Sequence, residues 1–333
     1  MEEFALPPIR RISCEEGFST SEVVEASSKL FNAVPSWASG PIAGAFMEDL
    51  LDIGDGRIAR MDADGVGVQI LALAGPGVQS FDPATALSLA QTVNDRLSDA
   101  VKAHPDRLVG LATMAPQAAE ASARELERAV TRLGLKGAMI SGHTHGVYLD
   151  DAGVWPLFEA AEALDAPVYI HPREPSPQLA AAGIPGFTVS WGYGVEAGTN
   201  ALRLISAGVF DRFPGLRVVL GHLGETLPYL LGRMDNRYRW EASTFALPRL
   251  QRLPSEYARD NFVITSSGMN YRAPMRAALD ALGLERVLFA ADYPFEDQAQ
   301  AVADMDGVMD DLALAVDERR AIYQSNAERV FGL

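Results

Sequence analysis

A chain of 333 residues, 48% hydrophobic and 8% aromatic, has ample material for a large closed core, and its composition excludes a disordered or collagen-like polymer. The formal charge of −16, with no local cluster of Lys and Arg to act against it, argues against nucleic acid and anionic membrane as partners. The single cysteine, Cys14, excludes an internal disulfide, and neither a signal-peptide layout at the start nor an apolar run of about 18 residues occurs, so a cytoplasmic protein is expected.

In chain order, the first apolar run bounded by charge and glycine is "RISCEEGF" (11–18), which predicts a strand with Cys14 packed inside. Residues 19–57 exceed an ordinary crossover and are expected to form an insertion over the mouth of the fold. In it Trp37, with Phe31, Phe46 and Met47, would either line a lid for an apolar ligand or simply pack. Further strands are predicted at "VGVQILALA" (66–74), "LVGLATMAP" (108–116) and "KGAMISGHT" (136–144). The last four are "APVYIHP" (166–172), "LRVVLGHLG" (216–224), "NFVITSSG" (261–268) and "ERVLFAADYP" (285–294). Several are continuously apolar, as strands covered on both faces must be, and amphipathic segments lie between them. "SFDPATALSLAQTVNDRLSDAVKAH" carries Asp82 as N-cap with Pro83 at the first helical position, and "AAEASARELERAVTRLG" ends at Gly134. Eight strands alternating with helices predict an α/β fold, a (β/α)₈ TIM barrel forming one domain over 1–333. An open doubly wound sheet would want a glycine-rich phosphate loop, and no G-x-G-x-x-G or Walker pattern occurs.

Catalytic groups of such barrels lie at the C-terminal ends of the strands. There the chain places Glu15 after strand one, His143 and His145 after strand four, and His171 after strand five. His222 with Glu225 follows strand six, and Asp292 follows strand eight. Four of the five histidines thus share one rim; the fifth, His104, sits before Pro105. Glu, His and Asp converging from strands one, five and eight suit a divalent cation, zinc or manganese, with positions left open for water or substrate. Asp292 also reads as a plain turn residue before Pro294, and "GHTHG" as a polar loop.

At these residues the chain resembles the amidohydrolase superfamily, specifically its branch of aromatic-acid decarboxylases acting on γ-resorcylate, 2,3-dihydroxybenzoate, 5-carboxyvanillate and aminocarboxymuconate semialdehyde. "EEGF", "IHPREP", "ALRLISAGVFDRFPGLRVVLGHLGETLPYLLGRMD", "ITSSG", "FAADYPFE" and "NAERVFGL" are similar to that family's blocks, in order, over nearly the whole chain. The resemblance implies that Glu15, His171 and Asp292 bind the metal. It implies too that His222, oriented by Glu225, works beside the metal, and that Asp292 doubles as proton carrier. Where the family has a histidine two residues after the first glutamate, this chain has Gly17. Period-two alternation points Gly17 into the same cavity as Glu15 and Glu16 away from it. The metal then persists on three ligands with an added water, or His143, His145 or His222 swings in, or the site runs without metal.

The function implied is non-oxidative decarboxylation of a hydroxylated aromatic or related unsaturated acid. Asp292 would protonate the ring carbon and His222 would hold or exchange that proton. Trp191, Tyr193 and Phe295 are candidates to stack on the substrate ring, and Arg233 or Arg237 to meet its carboxylate, across the interface of a homodimer or homotetramer as the resemblance suggests. A hydrolase or hydratase/dehydratase on the same scaffold is the rival enzyme, because a metal that polarises a carboxylate also activates water. A non-catalytic ligand-binding barrel is the rival outside enzymes.

Overall fold

The structure is a computed structural model, describing residues 8–31, 41–180, 183–184, 186–245 and 249–333. Its strands are β1 (Ile12–Phe18), β2 (Val68–Leu73), β3 (Leu108–Gly110), β4 (Ala112–Thr113), β5 (Ala138–Ser141), β6 (Val168–His171), β7 (Val218–Leu220), β8 (Phe262–Thr265) and β9 (Val287–Leu288). β3 and β4 are halves of one stave, divided at Leu111. The Leu111 N–H donates back to Leu71 O (2.9 Å), whereas that of Ala112 donates forward to Gly137 O (2.8 Å). All strand pairs are parallel, and eight staves close into a TIM barrel through Cys14 N–H to Phe289 O (3.0 Å) and Gly17 N–H to Tyr293 O (2.7 Å). Each stave lies within one of the eight predicted runs.

Two apolar layers hold the ring. Ile12, Cys14, Ile70, Met139, Tyr169 and Val219 belong to the cluster inside the barrel, against which Ala327, Val330 and Phe331 of the last helix pack. The second layer, between staves and surrounding helices, takes the opposite face of the same strands, such as Leu71 and Leu73 of β2. Asp82 caps the helix Pro83–Ala103 by accepting from the N–H groups of Ala84 and Thr85, both at 3.1 Å. Between β1 and β2 lie the helices Ser21–Phe31, Pro41–Leu51 and Asp55–Asp64; Trp37 and the Phe31 side chain fall outside what is described. Among the described residues no helix is long and apolar enough to cross a membrane.

β1 departs from simple alternation. Ser13 pairs with Gln69 and Glu16 with Leu71, so Cys14 and Glu15 both stand opposite Ile70. This bulge lets two consecutive side chains, Cys14 and Glu15, face the interior, and it restores Gly17 to the inner face opposite Ala72. Glu16 is then turned to the seam between the first and last staves. Its buried carboxylate accepts from Ser13 Oγ, from Ala291 N–H (3.2 Å) and from Tyr293 N–H (2.9 Å), so it replaces ladder hydrogen bonds on both sides of Asp292.

Burial pushes the Glu16 carboxyl up to about 7, against the opposing pull of Ser13 and the two N–H groups. A carboxyl raised on folding stabilises the folded state fully below its unfolded value near 4.5, and that contribution is lost as pH rises through 7. Metal-free protein is therefore expected to lose up to about 3 kcal/mol from this group between those pH values. Urea midpoints of wild type and Glu16→Gln measured across that window check it: the difference between the two proteins must change with pH, and a constant offset would refute it.

Candidate metal and acid-base centre

Glu15, His171 and Asp292 come from the first, fifth and eighth staves, and one ligand atom of each lies within 4.8 Å of the others. His171 Nδ1 is 2.6 Å from the carbonyl of Pro172. A carbonyl only accepts, so Nδ1 carries a proton and Nε2 is the ring nitrogen turned to the cluster. That atom faces Glu15 Oε1 at 3.6 Å, and Oε1 is buried without any hydrogen-bond partner. A buried, unpartnered carboxylate oxygen facing a ring nitrogen is satisfied by a cation, or a proton, between them. This donor set and the bare oxygen fit a divalent cation held by Glu15, His171 and Asp292.

The other Glu15 oxygen is saturated: Oε2 accepts from Tyr169 OH and from Thr265 Oγ1 (2.7 Å). Gly221, just past β7, makes room for the carboxylate, since a Cβ there would lie 2.9 and 3.0 Å from its two oxygens.

His222 follows directly. Its Nδ1 donates to Glu225 Oε1 at 2.7 Å, and its Nε2 lies 3.8 Å from Asp292 Oδ2. Burial alone would lower the His222 pKa, but the charges of Glu225, Glu15 and Asp292 outweigh it and hold the ring well above its ordinary value. Burial raises Asp292, with His222 opposing. The backbone is left-handed at His222 (φ 46°), Leu223 (52°), Glu225 (51°) and Asp292 (72°). Such conformations cost energy outside glycine, and His222, Glu225 and Asp292 are among the residues that adopt them.

The remaining candidates are placed differently. His143 Nδ1 accepts from Gly146 N–H (3.1 Å), and burial together with the nearby Arg173 charge lowers its pKa; His145 Nε2 meets Phe81 O (3.3 Å). His143 is tied into its own loop and His145 to the segment after β2, and neither belongs to the Glu15 cluster. Phe295 lines the same cavity as Glu15, Gly17, His171 and Asp292, and its ring lies 5.7 Å from that of Phe46. A Cβ on Gly17 would meet Leu50 and Phe295, each at 3.2 Å, so these apolar side chains fill the space beside it. Trp191 is 57% exposed and Tyr193 half-buried near Glu174, in the helical segment Thr188–Tyr193; Arg233 and Arg237 are exposed on the helix Leu227–Thr244. None of these four lines the cavity. Sequence reasoning missed Tyr169 and Thr265, although each stands on a predicted strand. It also missed Arg57, buried under Gly17.

A parallel eight-stave barrel that gathers a Glu, His and Asp cluster and a His–Glu pair at the C-terminal ends of its strands has the layout of a barrel enzyme. The amidohydrolase family model matches residues 46–333, and the chain belongs to that family. It is 36% identical over 335 residues to a γ-resorcylate decarboxylase of a Polaromonas species, covering 97% of this chain and 98% of that one. Its fold superposes on the 5-carboxyvanillate decarboxylase of Sphingomonas paucimobilis with a TM-score of 0.93 and 38% identity, over 98% and 100% of the two chains. A dihydroxybenzoic acid decarboxylase from Polaromonas, solved with manganese and the inhibitor 2-nitroresorcinol, gives a TM-score of 0.87 and 34% identity over 98% of each chain.

Proposed function

We propose that this protein is a non-oxidative decarboxylase of hydroxylated aromatic acids, working with a divalent metal on Glu15, His171 and Asp292. The observation that carries the reading is the bare, buried Glu15 Oε1 facing His171 Nε2 beside Asp292, with the His222–Glu225 pair at the edge of the same cleft. The relatives support the chemistry. Two carboxylates and one imidazole make an oxygen-rich donor set, which favours manganese over zinc.

When bound, the metal supplies positive charge that orients the substrate carboxylate and an adjacent phenolate and stabilises the charge they develop. The chain's own residues do the rest. Asp292, its carboxyl kept protonated longer by burial, delivers its proton to the ring carbon that bears the carboxylate. The bond from that carbon to the carboxylate breaks, its electron pair restores the aromatic ring, and carbon dioxide leaves. Asp292 is left as a carboxylate and regains a proton from His222, which Glu225 holds by its Nδ1–H with Nε2 toward Asp292.

Phe295, backed by Phe46, gives the ring an apolar wall. In this reading the described residues of the segment 19–57, with Phe46 and Leu50 against Phe295 and Gly17, cover the mouth of a single domain. Exposed Tyr229, Leu230 and Trp240, on the helix that carries Arg233, form the face of a homodimer or homotetramer; Arg233, Trp191 and Tyr193 then reach substrate in the assembly.

Incubation with 2,6-dihydroxybenzoate and 5-carboxyvanillate in deuterated water, with added manganese, tests the proposal. One carbon dioxide per acid consumed and one deuterium at the vacated ring position are expected by mass spectrometry. Products that gain water and retain all their carbon would overturn it in favour of a hydratase or hydrolase.

A further inference from the structure

We propose that Tyr169 and Thr265 are positioning residues that hold Glu15 as a one-oxygen metal ligand, an inference that rests on the cation site proposed above. Glu15 starts from the first stave and has to reach across the barrel interior: its Oε2 ends against Tyr169 on β6 and Thr265 on β8. Between those strands lies β7, and the residue just past it is Gly221, whose missing side chain leaves the slot the carboxylate occupies. Tyr169, Gly221 and Thr265 thus form a three-stave cradle around one carboxylate.

The hydrogen-bond inventory shows why this fixes the binding mode. Each hydroxyl has a single proton. The Tyr169 and Thr265 oxygens are 2.9 Å apart, yet both lie against Oε2, so with both protons spent on that oxygen their mutual approach adds no further bond. Oε2 is thereby committed to the barrel floor. Oε1 has no partner and is the atom turned toward His171 Nε2. A carboxylate oxygen only accepts, so the hydroxyl of Tyr169 is the donor in this contact. A carboxylate pinned by one oxygen donates only the other, and leaves more of the coordination sphere to water and substrate.

Without the pin the carboxylate is free to turn, and its preorganisation for the cation is lost. Tyr169→Phe removes one donor, and Thr265→Val removes the other with almost no change of shape. Equilibrium dialysis of the full-length protein against manganese, with elemental analysis of both sides, measures the dissociation constant. Each variant is expected to bind about 10–100-fold more weakly than wild type. Melting of the metal-free forms, in the presence of a chelator, is expected to move far less than the affinity. Thr265→Val decides the matter even where Tyr169→Phe fails to fold. If both folded variants keep the wild-type constant while wild type binds about one manganese per chain, the clamp is refuted and the metal site stands. If wild type itself takes up no manganese, the clamp falls together with the cation reading.

Discussion

Asp292→Asn is expected to fold as wild type does and to turn over hydroxylated aromatic acids about 10²–10⁴-fold more slowly. The substitution is well suited to isolate chemistry, because asparagine tolerates the left-handed backbone that Asp292 adopts at φ 72°. Its amide has nearly the same shape but no acidic proton to give the ring carbon. It also supplies a neutral oxygen in place of a carboxylate, so manganese affinity falls in the same variant. Saturating the enzyme with manganese before measuring kcat separates the two effects. Carbon dioxide release within tenfold of wild type under saturation would mean that another group delivers the proton.

His222 and Glu225 are separable by the same logic. The Nδ1–H to Glu225 contact fixes which face of the ring meets Asp292, whereas the left-handed run from His222 to Glu225 is what brings the two side chains within 2.7 Å of each other.

The staves were legible because strands covered on both faces leave long apolar runs, and because glycine, proline and charge interrupt them at the rim. The same reasoning found Glu15, His171, His222 and Asp292, since chemistry-bearing side chains at strand ends stand out from the apolar background. The bulge at Cys14 and Glu15 left no local trace: it is set by pairing with β2, and nothing in "SCEE" distinguishes two inward residues from strict alternation. Tyr169 was within reach, standing two residues before His171 and therefore on its face of the strand, but a tyrosine inside a strand looks like core until its hydroxyl is traced to Glu15. Trp191 and Tyr193 were singled out as aromatic residues close to strand ends in sequence. They lie beyond β6 in a helical segment of their own, where Trp191 is exposed in the single chain, so their place does not follow from the strand end. Sequence adjacency to a strand end fixes position only for a residue or two.

Arg57→Met is expected to destabilise the folded protein by about 3–5 kcal/mol, through the buried acceptors it strands. In "DGRIARMDAD" this arginine reads as an ordinary surface helix residue, yet it is 1% exposed. Its guanidinium donates to Asp52 O (2.6 Å), Asp49 O (2.7 Å), Gly17 O (2.8 Å) and Gln69 Oε1 (3.1 Å), and it stacks over the Tyr293 ring at 5.0 Å. Every hydrogen-bond partner is neutral, so the buried charge is compensated by carbonyl dipoles and the ring face. Burial correspondingly lowers its pKa, with the charges around it opposing. Methionine keeps the bulk and strands those acceptors, each at about 1–3 kcal/mol where water cannot enter. Lysine restores the charge but lacks the planar fork, so Arg57→Lys is expected to recover part of the loss. The site is affected as well: Arg57 ties the insertion to the carbonyl of Gly17, whose own N–H holds Tyr293 O, next to Asp292. Urea unfolding of the metal-free variants measures the first effect, and kcat of folded, manganese-saturated Arg57→Met the second. A loss of under about 1 kcal/mol would show that water replaces the guanidinium, and that the first stave is held to the eighth by Glu16 and the backbone alone.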